Sequence, residues 1–179
     1  MQEGAPIRIL SVGHLEAQKS PEIQINAAHL LLQHRNDFIW TWIGDGSLMN
    51  KCRQQVQALG LEKHFLLEGR KNRMEIAELL TDSDLFVMSS VYENCPVALI
   101  EAQCVGLPCI VRKNGASEHV LIEGNGKAIE MNVESESLCT AILELNNDNL
   151  DSQAIKERGS CTFHPKTFAQ NMWRALQTT

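Results

Sequence analysis

The feature that most constrains this chain is a regular alternation of short apolar strands with helices, joined by connections of a few residues. "IRILSVG" (7–13) reads as a strand. Ser20 and Pro21 then supply an N-cap and a first helical residue for a helix carrying Ile23, Ala27, Leu30, Leu31 and His34 on one face. "FIWTWI" (38–43) is a second strand, and Gly44-Asp45-Gly46-Ser47 turns it into a helix with Leu48, Cys52, Val56 and Leu59 at helical period, closed by Gly60. "HFLLE" (64–68) is a third strand, and a helix over about 73–80 leads to "DLFVMS" (84–89), whose unbroken apolar run fits a strand buried on both faces. A helix from about Pro96 to Val105, stopped at Gly106, precedes the strand "CIV" (109–111). "KAIE" (127–130) is a sixth strand, before a helix with Leu138, Ala141, Ile142 and Leu145.

Strands and helices in this order specify a doubly wound parallel six-stranded Rossmann-like α/β sheet with right-handed crossovers, whose commonest strand order is 3-2-1-4-5-6. A chain of 179 residues, 44% hydrophobic, fits one domain burying roughly 70% of its unfolded surface. Ligands in such sheets bind beyond the carboxyl ends of the strands where the winding reverses. Those ends are Gly13-His14, followed by a loop containing Lys19, and Ser89-Ser90, followed by a loop containing Glu93.

The stretch "VYENCPVALIEAQCVGLPCIV" (91–111) therefore lies where this fold places a ligand. A helix starting at Pro96 leaves the amides of Val97, Ala98 and Leu99 free at the positive end of the helix dipole, which is a site for phosphate. Glu101 lies about 6 Å further along and leans back toward that end, where it can accept both hydroxyls of a ribose. Glu93, in the loop before the helix, can accept a sugar hydroxyl. Alone, either glutamate reads as an ordinary solvated or dipole-favoured residue, worth roughly 0.3–1 kcal/mol. Together at a switch point, they measure out a diphosphate flanked by two polyols.

These residues resemble a known family. "ENCPVALIEAQCVGLPCIV" is similar to the E-x7-E signature of the family 4 retaining glycosyltransferases, and four further segments follow the family's order: "SVGHLEAQK", "WIGDGSL", "LGLEKHFLLEG" and "DSDLFVMSSVYEN". The resemblance implies the carboxyl-terminal, donor-binding half of a GT-B enzyme, spanning residues 1–179. It implies that Glu101 holds the donor ribose, that Val97 and Ala98 amides hold the diphosphate, and that Glu93 meets the transferred sugar. Lys19 matches the lysine that neutralises the diphosphate, so Lys19 and Glu93 are the catalytic candidates, with Gly13, His14 and Leu99 completing the donor site. The nucleotide base is expected near Gly69, Arg70 and Arg73, with Arg73 as the candidate contact.

The chain departs from the family at several positions. His14 replaces an arginine, making one diphosphate charge titratable. Asn94 replaces a glycine, as a residue that tolerates a left-handed backbone better than most. Cys95 replaces an aromatic, and Ser20 replaces a glycine where a helix cap is useful. The first donor-domain strand begins within ten residues of Met1. The expectation is a fragment of a longer enzyme lacking its amino-terminal acceptor domain and inactive alone, with a last helix over about 165–177 that crosses toward the missing domain.

The implied function is hexosyl transfer from a UDP- or GDP-sugar to a sugar or lipid-linked acceptor, in bacterial polysaccharide or glycolipid synthesis, with no cofactor. No metal is expected either, since His29 and His34 are five apart on a helix and His64 and His119 lack ligand partners. Two alternatives remain open: a non-catalytic nucleotide-sugar binding module and half of a nucleotide-sugar epimerase. A nicotinamide dehydrogenase is a poor fit, because Gly44-Asp45-Gly46 follows the second strand and Met49 stands at the third glycine position. A net charge of −6 argues against nucleic acid as a partner. Six cysteines without a CxxC pair read as reduced and mostly core, in a cytoplasmic protein or one peripheral at the cytoplasmic membrane.

Overall fold

The computed structural model describes residues 5–130, 135–147 and 150–164. Six parallel strands, β1 (Ile7–Val12), β2 (Phe38–Ile43), β3 (Phe65–Gly69), β4 (Leu85–Met88), β5 (Cys109–Arg112) and β6 (Gly126–Ile129), form one sheet in the order β3-β2-β1-β4-β5-β6. The doubly wound order expected from the sequence is therefore the one observed. β1 and β4 are neighbours at the switch point, in register at Ile9↔Leu85 and Leu10↔Phe86.

The pleat divides the central strands between two cores. Ile9, Leu85, Val87 and Ile110 point into one cluster, with α1 (Pro21–Leu32), α2 (Met49–Ala58) and α6 (Ser135–Asn147). Leu10, Phe86, Met88, Cys109 and Val111 point into the other, with α3 (Arg73–Asp82) and α4 (Val97–Val105). α3 begins with a capping box in which Asn72 accepts from the Met74 and Glu75 amides while the Glu75 carboxylate accepts from the Asn72 amide.

Two helices are absent from the sequence reading. One is the single turn α5 (Ser117–Val120), and the other is α7 (Ser152–Phe163), which packs across α4. The residues of α7 that are buried are Ile155 and Gly159, too few to make a periodic apolar stripe. Its contact with α4 depends on small residues at two points. A Cβ at Gly106 would lie 2.4 Å from the Ser152 carbonyl oxygen, and one at Gly159 would lie 2.5 Å from the Gln103 carbonyl oxygen. Gly106, with φ of 96°, also ends α4 as expected. The helix proposed over 165–177 lies outside the described residues.

On α1 the buried set is Pro21, Gln24, Ile25, Ala27, Ala28 and Leu31, so Ile23 and Leu30 are only partly covered and His34 is exposed. The face is rotated because Gln24 points inward to a polar partner. All six cysteines are free: Cys52, Cys109 and Cys139 are buried, Cys104 is half-buried, and Cys95 and Cys161 are exposed. Burial pushes the Cys52 thiol up to about 11 and raises those of Cys104, Cys109 and Cys139, which keeps these groups protonated and inert.

The close approach of α7 to α4 gives a test. In an open helix, Gly→Ala stabilises by about 1 kcal/mol. At Gly159 the backbone contact reverses this, so Gly159→Ala is expected to destabilise by roughly 1–3 kcal/mol in urea denaturation. A neutral or stabilising result would contradict the packing described here.

Candidate functional site

The site is built on the loops after β1 and β4. The β1 loop passes through Gly13, His14 and a single 3-10 turn at Ala17–Lys19, then enters α1 at Pro21. Its shape is set from below by a chain of buried hydrogen bonds. Trp40 Nε1 donates to Ser11 Oγ (3.0 Å), and Ser11 Oγ–H has Gln24 Oε1 (2.7 Å) and the Val87 carbonyl (2.9 Å) as acceptors. Gln24 Nε2 donates to Ser89 Oγ (2.9 Å), whose own hydrogen faces the carbonyls of Lys19 (2.9 Å) and Ser20 (3.2 Å). Ser11, Gln24 and Ser89 are each 2% exposed or less, so these bonds are sheltered from water.

From the side, the loop is held by the turn after β2. Leu15 N–H donates to the Asp45 carbonyl (3.1 Å) and Leu48 N–H to the Leu15 carbonyl (2.9 Å). Glu16 accepts from both the Ser47 amide (2.8 Å) and the Ser47 hydroxyl (2.6 Å). The approach is too tight for side chains: a Cβ at Gly44 would meet the Gly13 carbonyl oxygen at 2.0 Å, and one at Gly46 the Leu15 carbonyl oxygen at 2.4 Å. Gly44-Asp45-Gly46 forms the expected turn between β2 and α2. Its glycines also make room for the β1 loop, and α2 carries no side-chain cap.

Ser20 differs from expectation in the same way. It has φ 47° and ψ 53°, caps nothing with its side chain, and is the one non-glycine residue with positive φ among the described residues. The family's glycine at this position is explained by backbone conformation. Asn94 is the converse case. It is not left-handed; its side-chain Oδ1 instead takes a hydrogen bond from the Tyr92 hydroxyl.

The β4 loop is zipped to the β1 loop. Val91 N–H donates to the Gln18 carbonyl (2.8 Å) and Gln18 Nε2 to the Tyr92 carbonyl (2.6 Å). Beside them Lys19 Nζ makes an ion pair with Glu93 Oε1, joining residues 74 apart in sequence. The side chains are 21% and 9% exposed, and the Lys19 stem lies over Gly13, where an added Cβ would touch Lys19 Cε at 3.4 Å. His14 is exposed at the rim, with Nδ1 3.3 Å from the Asp45 carbonyl.

α4 begins at Val97, one residue later than read, with Pro96 in the N-cap position. Two of the three amides expected to be free are used locally. Val97 N–H donates to the Cys95 carbonyl (2.9 Å) and Leu99 N–H to the Pro96 carbonyl (3.0 Å), while the Leu99 side chain is fully buried in the core. Ala98 keeps its amide without an acceptor among the described residues, and no acidic residue occupies the first turn. Glu101 is exposed on the second turn.

The structure thus brings Gly13, Lys19 and Glu93 into contact, places His14 against the Asp45 carbonyl, and sets Val97, Ala98 and Glu101 on the first two turns of the helix that follows the Glu93 loop. Arg73 is exposed at the first position of α3, and no contact ties it to this group. The Ser11–Gln24–Ser89 chain and Gln18 are absent from the sequence reading. The available signals were serines inside apolar strands and a glutamine on an apolar helix face. A cavity of about 420 Å³, lined by Ile7, Thr81, Asp84, Leu85, Pro108 and Ile142 among others, opens at the amino-terminal ends of β1, β4 and β5, away from this site.

A sequence model of the family described as "Glycosyl transferases group 1" matches residues 2–160. The chain belongs to the group 1 glycosyl transferases. Among curated members, the Escherichia coli UDP-Gal:alpha-D-GlcNAc-diphosphoundecaprenol alpha-1,3-galactosyltransferase is 36% identical over 143 residues, covering 78% of this chain. This group 1 chain spans only 36% of that relative's length. Among solved structures, the lipopolysaccharide outer core galactosyltransferase WaaB in its apo form superimposes with a TM-score of 0.83 at 19% identity, over 99% of this chain and 51% of that one. Anabaena Alr3699/HepE in complex with UDP-glucose gives 0.80 at 22% identity, over 97% and 49%. These likenesses establish the GT-B fold of the group 1 domain.

Two tests concern the β1 loop. Relief of the left-handed strain, about 1–2 kcal/mol, exceeds the extra chain entropy of glycine, about 0.4–1 kcal/mol. Ser20→Gly is therefore expected to raise stability in denaturant titration and Ser20→Val to lower it; a capping role would make the glycine variant neutral or worse. Separately, the Ser47 hydrogen bonds hold the Glu16 carboxyl below its ordinary value of 4.5. A depressed folded-state pKa stabilises above the unfolded value and is lost as pH falls through the folded one. The stability gap between wild type and Glu16→Gln is expected to be widest above about pH 4.5 and to close toward pH 3. A gap that stays constant over that range would show that the Glu16 clamp does not titrate.

Proposed function

We propose that this chain is the donor-binding half of a retaining glycosyltransferase that takes a hexose from a nucleotide-diphosphate sugar. The observation that carries this reading is the meeting of Lys19 and Glu93 beside the start of α4, on whose second turn Glu101 is exposed. Transfer from a nucleotide sugar breaks the bond between the sugar and the diphosphate, so negative charge grows on phosphate while positive charge grows on the sugar. Lys19 and the amino end of α4 present positive charge to the first, and Glu93 presents a carboxylate to the second. Glu101 serves the ribose.

UDP is the favoured nucleotide, supported by the donor in the name of the E. coli relative and by the UDP-glucose in the Anabaena structure. By the same relative, the acceptor is a lipid-linked sugar, held by an amino-terminal domain that completes the crevice. No metal is required, because Lys19 and the helix dipole meet the diphosphate charge. The setting is cytoplasmic bacterial polysaccharide synthesis, in keeping with free, mostly unreactive thiols. No helix among the described residues is long and apolar enough to cross a membrane.

Titration calorimetry with UDP and GDP tests the reading. UDP is expected to bind at millimolar concentration or below, and Glu101→Ala to weaken it roughly tenfold, by loss of a charged hydrogen-bond acceptor. Absence of binding by either nucleotide, or unchanged affinity in Glu101→Ala, would remove the assignment.

A further inference from the structure

We propose that Lys19 exchanges partners when the donor arrives, leaving Glu93 for the diphosphate, and that this exchange makes the site discriminate against a nucleotide diphosphate that carries no sugar. The inference deepens the donor-site reading above and rests on it. It starts from the state of the ion pair in the unliganded chain. Lys19 is the one partner of the Glu93 carboxylate among the described residues, and the Glu93 side chain is only 9% exposed. A carboxylate so covered is costly to leave without a countercharge.

The backbone around Lys19 is held while its ammonium is not. The Lys19 amide donates to the Glu16 carbonyl (2.9 Å), its carbonyl faces Ser89 Oγ, and its stem lies along Gly13. Rotation about the side-chain bonds can therefore carry Nζ from Glu93 toward the start of α4 without moving the loop. The two kinds of ligand then differ in what they leave behind. A bare diphosphate takes Lys19 and strands Glu93. A nucleotide sugar takes Lys19 with its phosphates and offers Glu93 the hydroxyls of its sugar, so each member of the broken pair finds a new partner. Once the sugar has been transferred, Glu93 again competes for Lys19, which favours departure of the spent nucleotide.

Calorimetry with UDP and UDP-glucose, and with GDP and GDP-mannose in parallel, on wild type, Glu93→Gln, Lys19→Ala and the double variant, tests the exchange. Glu93→Gln is expected to bind the free diphosphate roughly two- to five-fold more tightly, the range of a partly exposed ion pair, while binding the nucleotide sugar more weakly. In the Lys19→Ala background, Glu93→Gln is expected to leave diphosphate affinity unchanged. Equal tightening toward both ligands with or without Lys19 would indicate simple charge repulsion and overturn the exchange, as would weakening of both or no change. Thermal melts establish that each variant folds. If Glu93→Gln does not, Glu93→Asp, which draws the carboxylate back by one methylene, is expected to tighten diphosphate binding in the same direction. Wild type that binds none of the four ligands would instead sink the donor-site reading itself, a result separate from every pattern above.

Discussion

The hydrogen-bond chain from Trp40 through Ser11 and Gln24 to Ser89 is the interaction on which the site depends. It links β2, β1, α1 and the end of β4, and it terminates on the backbone carbonyls of Lys19 and Ser20. Burying so many polar groups is tolerable because each finds a partner, and each is costly to strand if one is removed. In return, the turn that carries the candidate phosphate-binding lysine is anchored to both strands of the switch point. That anchorage also accounts for Ser20. A left-handed serine costs about 1–2 kcal/mol, and it persists because the carbonyls on either side of its amide plane are already committed.

A second buried polar hub holds the other half of the site. Gln103, fully buried on α4, donates to the Val120 carbonyl (3.1 Å) and accepts from the Ile122 amide (2.9 Å) and Asn125 Nδ2 (3.1 Å). Asn125 in turn accepts from Arg158 Nε on α7 (2.7 Å). α4 is therefore pinned by backbone groups of Val120 and Ile122 and by the Asn125 side chain, which Arg158 of α7 supports in turn. The glycines at 106 and 159 allow the close packing that brings Arg158 within reach.

Much of this was legible in the sequence, and the parts that were not share a cause. Strand positions follow from continuous apolar runs such as "LFVM", which fit a strand buried on both faces, and strand order follows from the alternation of strands and helices. The candidate site is placed by the topology alone. What escaped were features decided by contacts across long sequence separations. Gln24 looks polar and is core, because its partners Ser11 and Ser89 are 13 and 65 residues away. Ser20 looks like a cap and is a conformational exception. α7 carries a mid-helix glycine and little apolar periodicity, since it binds α4 by fit. The one-residue shift at Pro96 matters more, because local bonds take the amides of Val97 and Leu99 and leave that of Ala98.

That remaining amide sharpens what the two glutamates can do. A broad anion cradle of three amides would bind phosphate in several positions, whereas a single unpaired amide at the start of α4 narrows the proposed phosphate position to one point. Glu93 stands in a loop zipped to the β1 loop at Val91 and Tyr92, and Glu101 stands on a helix pinned at Gln103. The separation of the two carboxylates is then a property of the rigid scaffold. Under the proposed donor reading, a ligand that spans them gives up its own freedom but asks little reordering of the backbone.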